Sequence, residues 1–453
     1  MKPDFLLTSN LSKKLYNECA KALPIIDYHN HLAVSDIAEN RIYENIARLW
    51  VISDPYKHRA MRILGVPEKY ITGDASDFEK FEVWYKSLPR LIGNPLFDWS
   101  AMELSSVFNF ELLPFRDSKA VWDELNEKLK SMSAKDILGK FNIEYSAPCA
   151  GLTDDISPFD KNSGLCPSLR GDDLLSPGEE LISKLVQLTN REIATLSDYL
   201  GAIDKRLSDF KNTGTLFTDH ALDNGFSFIC DDGKNGERFL SLLNGEISDE
   251  DKLFLRSYIL KELMSLYAKH GFTLQLHIGA QRTTSTRLRS LAGAAGGYAA
   301  IGSTANVASV VALLDTVEKG DFGLPNILLF TLNPSDNAVF ATLSGSYSKD
   351  GCEALISQGP AWWWCDHYEG IYNMLSTFAT HSVLSTFVGM TTDSRSLLSF
   401  VRHDYFRRVV CEWVSDMVNK GRLPEDFELL SDTVMRICYK NAKRVLGGKQ
   451  NAF

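Results

Sequence analysis

Two histidines near the start of the chain have the spacing of a metal-binding pair. His29 and His31 stand at the end of an apolar run over residues 24–28. Side chains two apart in a strand project from the same face, so both imidazoles can approach one ion at about 2.0–2.1 Å. The alternative is two unrelated loop histidines. The preceding run favours metal binding, because functional residues of parallel sheets lie at the carboxyl ends of strands.

A third histidine and a carboxylate also end apolar runs. His277 closes the run at residues 274–276, and Asp393 follows the run at residues 384–388. In a closed sheet the last strand lies beside the first, which would bring Asp393 to His29 and His31. Each residue also has a simpler interpretation, His277 as a core histidine and Asp393 as the N-cap of a helix.

Three arginines follow predicted strands in the same way. Arg170 ends one run, Arg282 comes shortly after His277, and Arg395 comes shortly after Asp393. A guanidinium binds a carboxylate through two parallel hydrogen bonds and stays charged at any relevant pH. Taken singly, each arginine is more simply a solvated surface residue. Together on one rim they predict a pocket for an anionic ligand.

The charge and the cysteine pattern restrict the class of protein. The 453 residues carry a formal net charge of −10, which repels nucleic acid and anionic membranes, so we expect neither as a partner. An anionic ligand therefore needs a locally basic pocket. The eight cysteines include no Cys-x-x-Cys pair, which is typical of reduced thiols. With no signal-peptide pattern and no apolar run of membrane-spanning length, we expect a cytoplasmic protein.

Short apolar runs alternate with longer helical patterns, which indicates strand–helix units and a parallel sheet. The eight strand candidates are residues 24–29, 142–145, 165–169, 214–217, 273–276, 326–332, 355–358 and 384–388. We therefore predict an α/β fold, a (β/α)8 TIM-like barrel with a helical insertion after the first strand.

The predicted division of the chain has three parts. Residues 1–35 hold the N-terminal segment and the first barrel strand, residues 36–140 the helical insertion subdomain, and residues 141–453 the remainder of the barrel with C-terminal helices. The middle part is separate because barrel units need only a few tens of residues between strands. The long amphipathic stretches at residues 399–420 and 429–446 leave room for a homo-oligomer.

Seven segments resemble uronate isomerase, a divergent member of the amidohydrolase superfamily, and the likeness runs over most of the chain. They lie at residues 26–32, 54–62, 93–96, 218–222, 274–282, 332–337 and 387–396. The resemblance implies an aldose–ketose isomerase of uronate catabolism. Such an enzyme interconverts D-glucuronate with D-fructuronate and D-galacturonate with D-tagaturonate.

Carried over residue by residue, the resemblance implies a single divalent metal ion, zinc by expectation and not strictly required, held by His29, His31 and Asp393 with His277 nearby. The residues that complete the substrate pocket are Tyr56, Arg170, Asp219, Arg282 and Arg395. The chain departs from the family pattern in two places. Asp98 stands where the family often has a histidine, and residues 297–303 lack two acids. Both departures concern substrate preference more than the reaction.

An aldose–ketose isomerisation needs a base for the proton on C2, a group that returns it to C1, and polarisation of the carbonyl. As hypotheses, Tyr56 or a neighbouring basic group such as His277 handles the carbon-bound proton, and Asp393 assists ring opening or moves the hydroxyl proton. Arg170 is the first choice for binding the C6 carboxylate. The tryptophans at residues 362–364 either pack in the core or form a wall for a sugar ring.

Two other functions remain open. A mononuclear amidohydrolase acting on an amide or lactone is disfavoured, because the run ending at Asp219 offers no lysine to bridge a second metal and because arginines are abundant. A non-catalytic barrel that binds sugar acids is disfavoured by the presence of Tyr56 and Asp393.

Overall fold

The structure is a computed structural model that describes residues 2–447. Its β-strands are β1 Ile25–Asn30, β2 Ile143–Gly151, β3 Ser168–Arg170, β4 Phe217–Leu222, β5 Thr273–Ile278, β6 Ala280–Gln281, β7 Ala300–Ile301, β8 Asn326–Thr331 and β9 Ile356–Gln358. Seven of these form one parallel sheet in the order β1-β2-β3-β4-β5-β8-β9, and β6 pairs with β7 in a small antiparallel hairpin. Strands in chain order pair with their neighbours, as in a singly wound barrel.

Helices surround this sheet. Those of the first half are α1 Asn10–Leu15, α2 Val34–Ala38, α3 Ile46–Trp50, α4 Pro55–Ile63, α5 Asp77–Ser87, α6 Pro95–Phe108, α7 Ser118–Leu129, α8 Ala134–Leu138, α9 Glu179–Thr189 and α10 Leu196–Asn212. Those of the second half are α11 Asn235–Leu243, α12 Asp249–His270, α13 Thr286–Ala292, α14 Val307–Glu318, α15 Asn337–Ser346, α16 Tyr368–His381, α17 Val401–Asn419, α18 Phe427–Met435 and α19 Asn441–Leu446. Within residues 2–447, no helix combines the length and apolarity that crossing a membrane requires.

Helices α2 to α8 all lie between β1 and β2. They share one apolar core with α17, because the fully buried Trp50, Trp84 and Trp413 belong to the same cluster. The helical layer, with Trp50 and Trp84, therefore packs against α17, with Trp413, so that it is joined to a late part of the chain. The predicted division at residues 35 and 140 stays a prediction, and residues 448–453 of its last part lie outside the described residues.

The prediction of an eighth strand at residues 384–388 is wrong. Leu384–Thr386 forms a 3-10 turn, and none of the described residues after β9 belongs to a strand. The irregular chain at residues 387–395, here called the closing segment, nevertheless lies beside β1. The amide of Asp393 donates to the carbonyl of His29 at 3.1 Å, and the amide of His31 donates to the carbonyl of Ser394 at 2.8 Å. The closing segment thus completes the TIM-like α/β barrel without a regular ladder.

The other strand predictions overlap the observed strands, with two shifts. The predicted strand at residues 165–169 is observed at Ser168–Arg170, and the one at residues 214–217 is observed at Phe217–Leu222. Both observed strands begin and end later in the chain than predicted, so they include polar residues that follow the apolar run. The apolar runs therefore located the strands but underestimated how far polar, functional residues extend them.

Candidate active site

One cavity of about 340 Å³ contains the predicted site. It opens at the carboxyl ends of the strands, the edge at which barrel enzymes place their active sites. All nine residues predicted from the sequence line it, namely His29, His31, Tyr56, Arg170, Asp219, His277, Arg282, Asp393 and Arg395. The structure thus places all nine residues around one cavity, and their roles stay predictions.

The predicted metal ligands converge on one carboxylate oxygen. The Oδ1 atom of Asp393 lies 3.4 Å from Nε2 of His29 and 3.1 Å from Nε2 of His31. Donor atoms around a tetrahedral ion are about 3.4 Å apart when each is about 2.0–2.1 Å from it. The distances from Asp393 to the two histidines are therefore compatible with donors to one divalent ion. The described residues also form two compact groups of potential donors, His29 with His31 and Cys149, and His29 with Asp219 and His277.

Asp27 holds the two halves of this ligand set together. Its carboxylate accepts hydrogen bonds from the Thr391 hydroxyl at 2.9 Å and from the Thr392 amide and hydroxyl at 2.6 and 2.7 Å. Asp27 is fully buried in β1, between the strand and the closing segment. The sequence argument did not single out this residue, although its place two residues before His29 is a signal for it.

Asp393 has a backbone and a side chain that are both constrained. Its φ of +45° lies in the left-handed region, which aspartate tolerates better than most residues but which still carries a cost. Its Oδ2 atom accepts a hydrogen bond of 2.8 Å from the indole N–H of Trp362. One carboxylate oxygen is thereby fixed by Trp362, and the other is directed at the histidines.

Cys149 lies beside the histidines and was missed by the sequence argument. It belongs to β2, past the predicted end of that strand at residue 145. Its Sγ atom is 3.6 Å from Nδ1 and 3.9 Å from Nε2 of His29, and 3.8 Å from Oδ1 of Asp219. Had the strand been extended to residue 151, the alternation of its side chains would have pointed to this thiol.

His277 lies deeper in the cavity and next to His29, with the two ring centroids 4.7 Å apart. Its Nε2 atom is buried and forms no hydrogen bond with the described residues. Burial and the neighbouring His29 hold the pKa of His277 well below its ordinary value. The side chain is therefore a neutral imidazole facing the cavity, which is the state that can accept a proton.

Tyr56 stands in the first turn of α4, which explains its fixed position. Asp54 caps this helix by accepting from the amide of Tyr56 at 2.9 Å, and Pro55 occupies the first helical position. The Tyr56 hydroxyl is buried without a hydrogen bond to the described residues. Burial raises its pKa well above the ordinary value, so the phenol is protonated, although the Arg402 guanidinium 4.8 Å from the ring centroid opposes this shift.

The arginines lie toward the mouth of the cavity and differ in how they are paired. Arg170 contacts Asp172 at 3.2 Å, and Arg282 contacts Asp223 at 2.8 Å. Arg395 is exposed and has no ion pair or side-chain hydrogen bond with residues 2–447. Of the three predicted arginines, only Arg395 thus offers an uncommitted guanidinium.

A fourth arginine at the mouth was missed by the sequence argument. Arg289 lines the cavity from α13, where its side chain is exposed. It follows no strand, which is why the placement rule used for the other arginines did not select it. We call Arg170, Arg282, Arg289 and Arg395 the rim. The buried side chains His29, Tyr56, Asp219 and His277 form the floor.

The tryptophans at residues 362–364 both pack in the core and line the cavity, which are the two interpretations that the sequence left open. Trp362 is buried and packs its ring 4.7 Å from that of His277. Trp362 and Trp363 line the cavity, whereas Trp364 stacks on Trp363 with ring centroids 4.9 Å apart. The rings of Trp362 and Trp363, tilted by 33° to each other, form an aromatic wall of the kind that suits the apolar face of a sugar, and Trp364 packs behind Trp363.

Comparisons with known proteins agree with this geometry. The glucuronate isomerase family model matches residues 1–446. Uronate isomerases from Bacillus licheniformis and Caldicellulosiruptor bescii are 37% and 36% identical, covering 98% and 99% of this chain and 97% and 99% of theirs. A solved uronate isomerase from Thermotoga maritima superposes with a TM-score of 0.90 at 26% identity, over 98% of this chain and 99% of its own. The chain therefore belongs to the glucuronate isomerase family.

Proposed function

We propose that the chain interconverts D-glucuronate with D-fructuronate and D-galacturonate with D-tagaturonate, the finer form of the hexuronate isomerisation that its family performs. The observation that carries this proposal is a single cavity with a cationic rim and a floor of acid–base side chains. A volume of about 340 Å³ lies within the range of roughly 300–1,000 Å³ that small-molecule sites occupy.

The rim orients the substrate. Arg395 is the uncommitted guanidinium, so it binds the C6 carboxylate, with Arg289 exposed at the same mouth. Arg170, the first choice from the sequence, is half-buried and already contacts Asp172, which suits it to the sugar hydroxyls instead. With the carboxylate at the mouth, C1 and C2 lie toward the floor.

The floor moves two protons. Neutral His277 accepts the proton from C2 through Nε2 and returns it to C1, because it is buried, unpaired and uncharged. The protonated phenol of Tyr56 donates to the carbonyl oxygen on C1, which becomes a hydroxyl. Asp393 accepts the hydroxyl proton from O2, so that a carbonyl forms at C2, and the protons are then redistributed to restore each side chain.

The metal belongs at the same end of the cavity. His29, His31 and Asp393 would hold one divalent ion, and nitrogen and oxygen donors at these spacings suit zinc. When bound, the ion supplies Lewis-acid polarisation of a substrate oxygen. The chain itself supplies the acid–base groups, so a partial activity of the metal-free enzyme is compatible with the proposal.

The test uses the purified protein with D-glucuronate and, separately, D-galacturonate in deuterated water. We expect NMR to detect the ketose from each substrate and deuterium at the exchanged carbon. Hydrolysis of a uronic amide or lactone, with no ketose from either acid, would instead favour the amidohydrolase alternative. Ligand binding without turnover or exchange would favour the non-catalytic barrel.

Other features of the protein are proposed from more general properties. The net charge of −10 and the eight free thiols support a cytoplasmic enzyme that binds no nucleic acid. Self-association stays a prediction, to be tested by light scattering. Helix α17 does not supply the contact between subunits, because most of its side chains are buried inside the chain itself.

A further inference from the structure

A thiol lies among the proposed metal ligands. Cys149 belongs to β2, next to β1, which carries His29. One potential donor atom from each of His29, His31 and Cys149 falls within 4.8 Å of the other two. This cluster thus combines a sulfur donor with two histidine nitrogens, and Asp393 contacts the same two histidines.

The spacing fits direct coordination. With metal–sulfur and metal–nitrogen distances of about 2.3 and 2.0–2.1 Å, a tetrahedral ion separates sulfur from nitrogen by about 3.6 Å. The Sγ atom of Cys149 is 3.9 Å from Nε2 of His29, the nitrogen that faces Asp393, and 3.6 Å from Nδ1. His29 and His31 also contact the Asp393 carboxylate at 3.4 and 3.1 Å. The thiol therefore approaches the histidines from β2 while the carboxylate approaches them from the closing segment.

A second observation points to a ligand in the same place. The Nε2 atom of His277 is buried in the cavity without a hydrogen bond to the described residues, and its ring lies 4.7 Å from that of His29. A buried polar atom without a partner carries a free-energy cost, which a bound group would remove. The histidines, the thiol and two carboxylates converge on this region from β1, β2, β4, β5 and the closing segment.

We propose that Cys149 donates its thiolate to the divalent ion held by His29, His31 and Asp393, which makes this a thiophilic site. The proposal rests on the metal site of the proposed function and adds a ligand to it. Thiolate donors select zinc and its chemical relatives, whereas magnesium and manganese prefer carboxylate, carbonyl and water oxygens. Zinc and cadmium ions should therefore bind far more tightly than magnesium.

The test uses Co²⁺ as a spectroscopic substitute for zinc. The full-length protein is stripped by dialysis against a chelator and reloaded with one equivalent of Co²⁺. We expect a thiolate-to-cobalt charge-transfer band in the near ultraviolet, which Cys149→Ser removes. The matched control is Cys230→Ser, because Cys230 is exposed and belongs to neither cluster of potential metal donors among the described residues. Cys149→Ala is a second variant in case the serine form does not fold.

Metal competition gives an independent measurement. Against a chromophoric chelator, we expect Cys149→Ser to weaken Zn²⁺ binding by more than about tenfold, the lower limit for losing even an outer-shell partner. Binding of Mn²⁺ should change less. Equal losses for both ions would overturn the thiophilic assignment.

The outcomes separate the inference from the function on which it rests. One bound Co²⁺ without the charge-transfer band, or a band that survives Cys149→Ser, would overturn the role of Cys149 and leave the three-ligand site intact. Wild-type protein that binds neither Co²⁺ nor Zn²⁺ would overturn the proposed metal site and this inference together. Ketose formation in the NMR assay is read separately from both results.

Discussion

The floor and the rim of the cavity differ in burial and in charge. His29, Tyr56, Asp219 and His277 are each at most 7% exposed, whereas Arg289 and Arg395 are exposed. Electrostatic interactions are stronger away from water, so the buried floor is where proton transfer gains most from fixed groups. The rim is suited to attracting an anion from solution in spite of the negative net charge. The contrast suggests that variants of the floor should lower kcat and variants of the rim should raise KM.

Replacing Asp393 should have the largest effect, because this residue has two proposed roles, one in metal binding and one in transfer of the hydroxyl proton. For Asp393→Asn we expect kcat to fall by about 10⁴-fold, the upper end for loss of a general acid or base. Uronate binding, measured by calorimetry, should persist because the rim is unchanged. Turnover close to the wild-type rate would contradict the chemical role of Asp393.

Replacing Tyr56 should have a smaller effect on the same step. Tyr56→Phe keeps the ring packing against Trp364 and removes only the donor, so we expect kcat to fall by about 10²-fold with little change in KM. Steady-state kinetics with D-glucuronate measures both constants. A large rise in KM at unchanged kcat would show that Tyr56 binds the substrate and does not donate a proton in the reaction.

A buried histidine outside the cavity separates the effect of burial from that of function. His58 on α4 is 6% exposed, and burial lowers its pKa to about 4. The unfolded chain has a pKa near 6.5 and binds more protons between these values, so stability falls as the pH falls through this window. At pH 4, the neutral, buried His58 therefore makes the free energy of unfolding about 3 kcal/mol smaller than it is at pH 7.

His58→Gln should remove this contribution while leaving kcat unchanged. Urea unfolding of the variant and the wild type at pH 7 and pH 4.5 measures the difference in free energy of unfolding. Carboxylates protonate in both proteins, so only the difference between them reports on His58. If the wild type and His58→Gln lost equal stability on acidification, His58 would not be kept neutral in the folded state.

Replacing Arg395 should have the smallest of these effects and should fall on KM. A hydrogen bond to a charged group contributes about 1.5–3 kcal/mol, so Arg395→Met should raise KM by about 30-fold with kcat nearly unchanged. Arg289→Met is the matched rim control. We expect a weaker effect because Arg289 lies on α13, whereas Arg395 is two residues from Asp393 in the closing segment. Equal effects on both would mean that the two arginines share the carboxylate.

Much of the site could be predicted from the sequence because its residues stand at the ends of apolar runs. His29, His277 and Arg170 each lie at or near the end of an observed strand. A parallel sheet brings all such ends to one edge, so position along each run carried information about position in space. Tyr56 is different: it lies on a helix of residues 36–140, and only the family resemblance placed it at the site.

The misses have physical causes too. Residues 384–388, which lead into the closing segment, were predicted as a strand because they are largely apolar. The closing segment is held instead by hydrogen bonds to the backbone of β1 and to the side chain of Asp27. Gly389 adopts a φ of +87° there, and a Cβ atom would lie 2.4 Å from the carbonyl oxygen of Ile437. Cys149 was missed because polar and small residues interrupt the apolar run of β2, and Arg289 because it follows no strand.

The closing segment also has a consequence for folding. His29 comes from the first strand and Asp393 from the last part of the barrel, so their contact closes a loop of most of the chain. Long-range contacts of this kind form late, because the entropy of closing the loop must be overcome first. Asp393 leaves the ribosome long after His29. An ion bound by the proposed ligands would therefore meet its complete ligand set only after the barrel closes, and its binding should stabilise that last step against reopening.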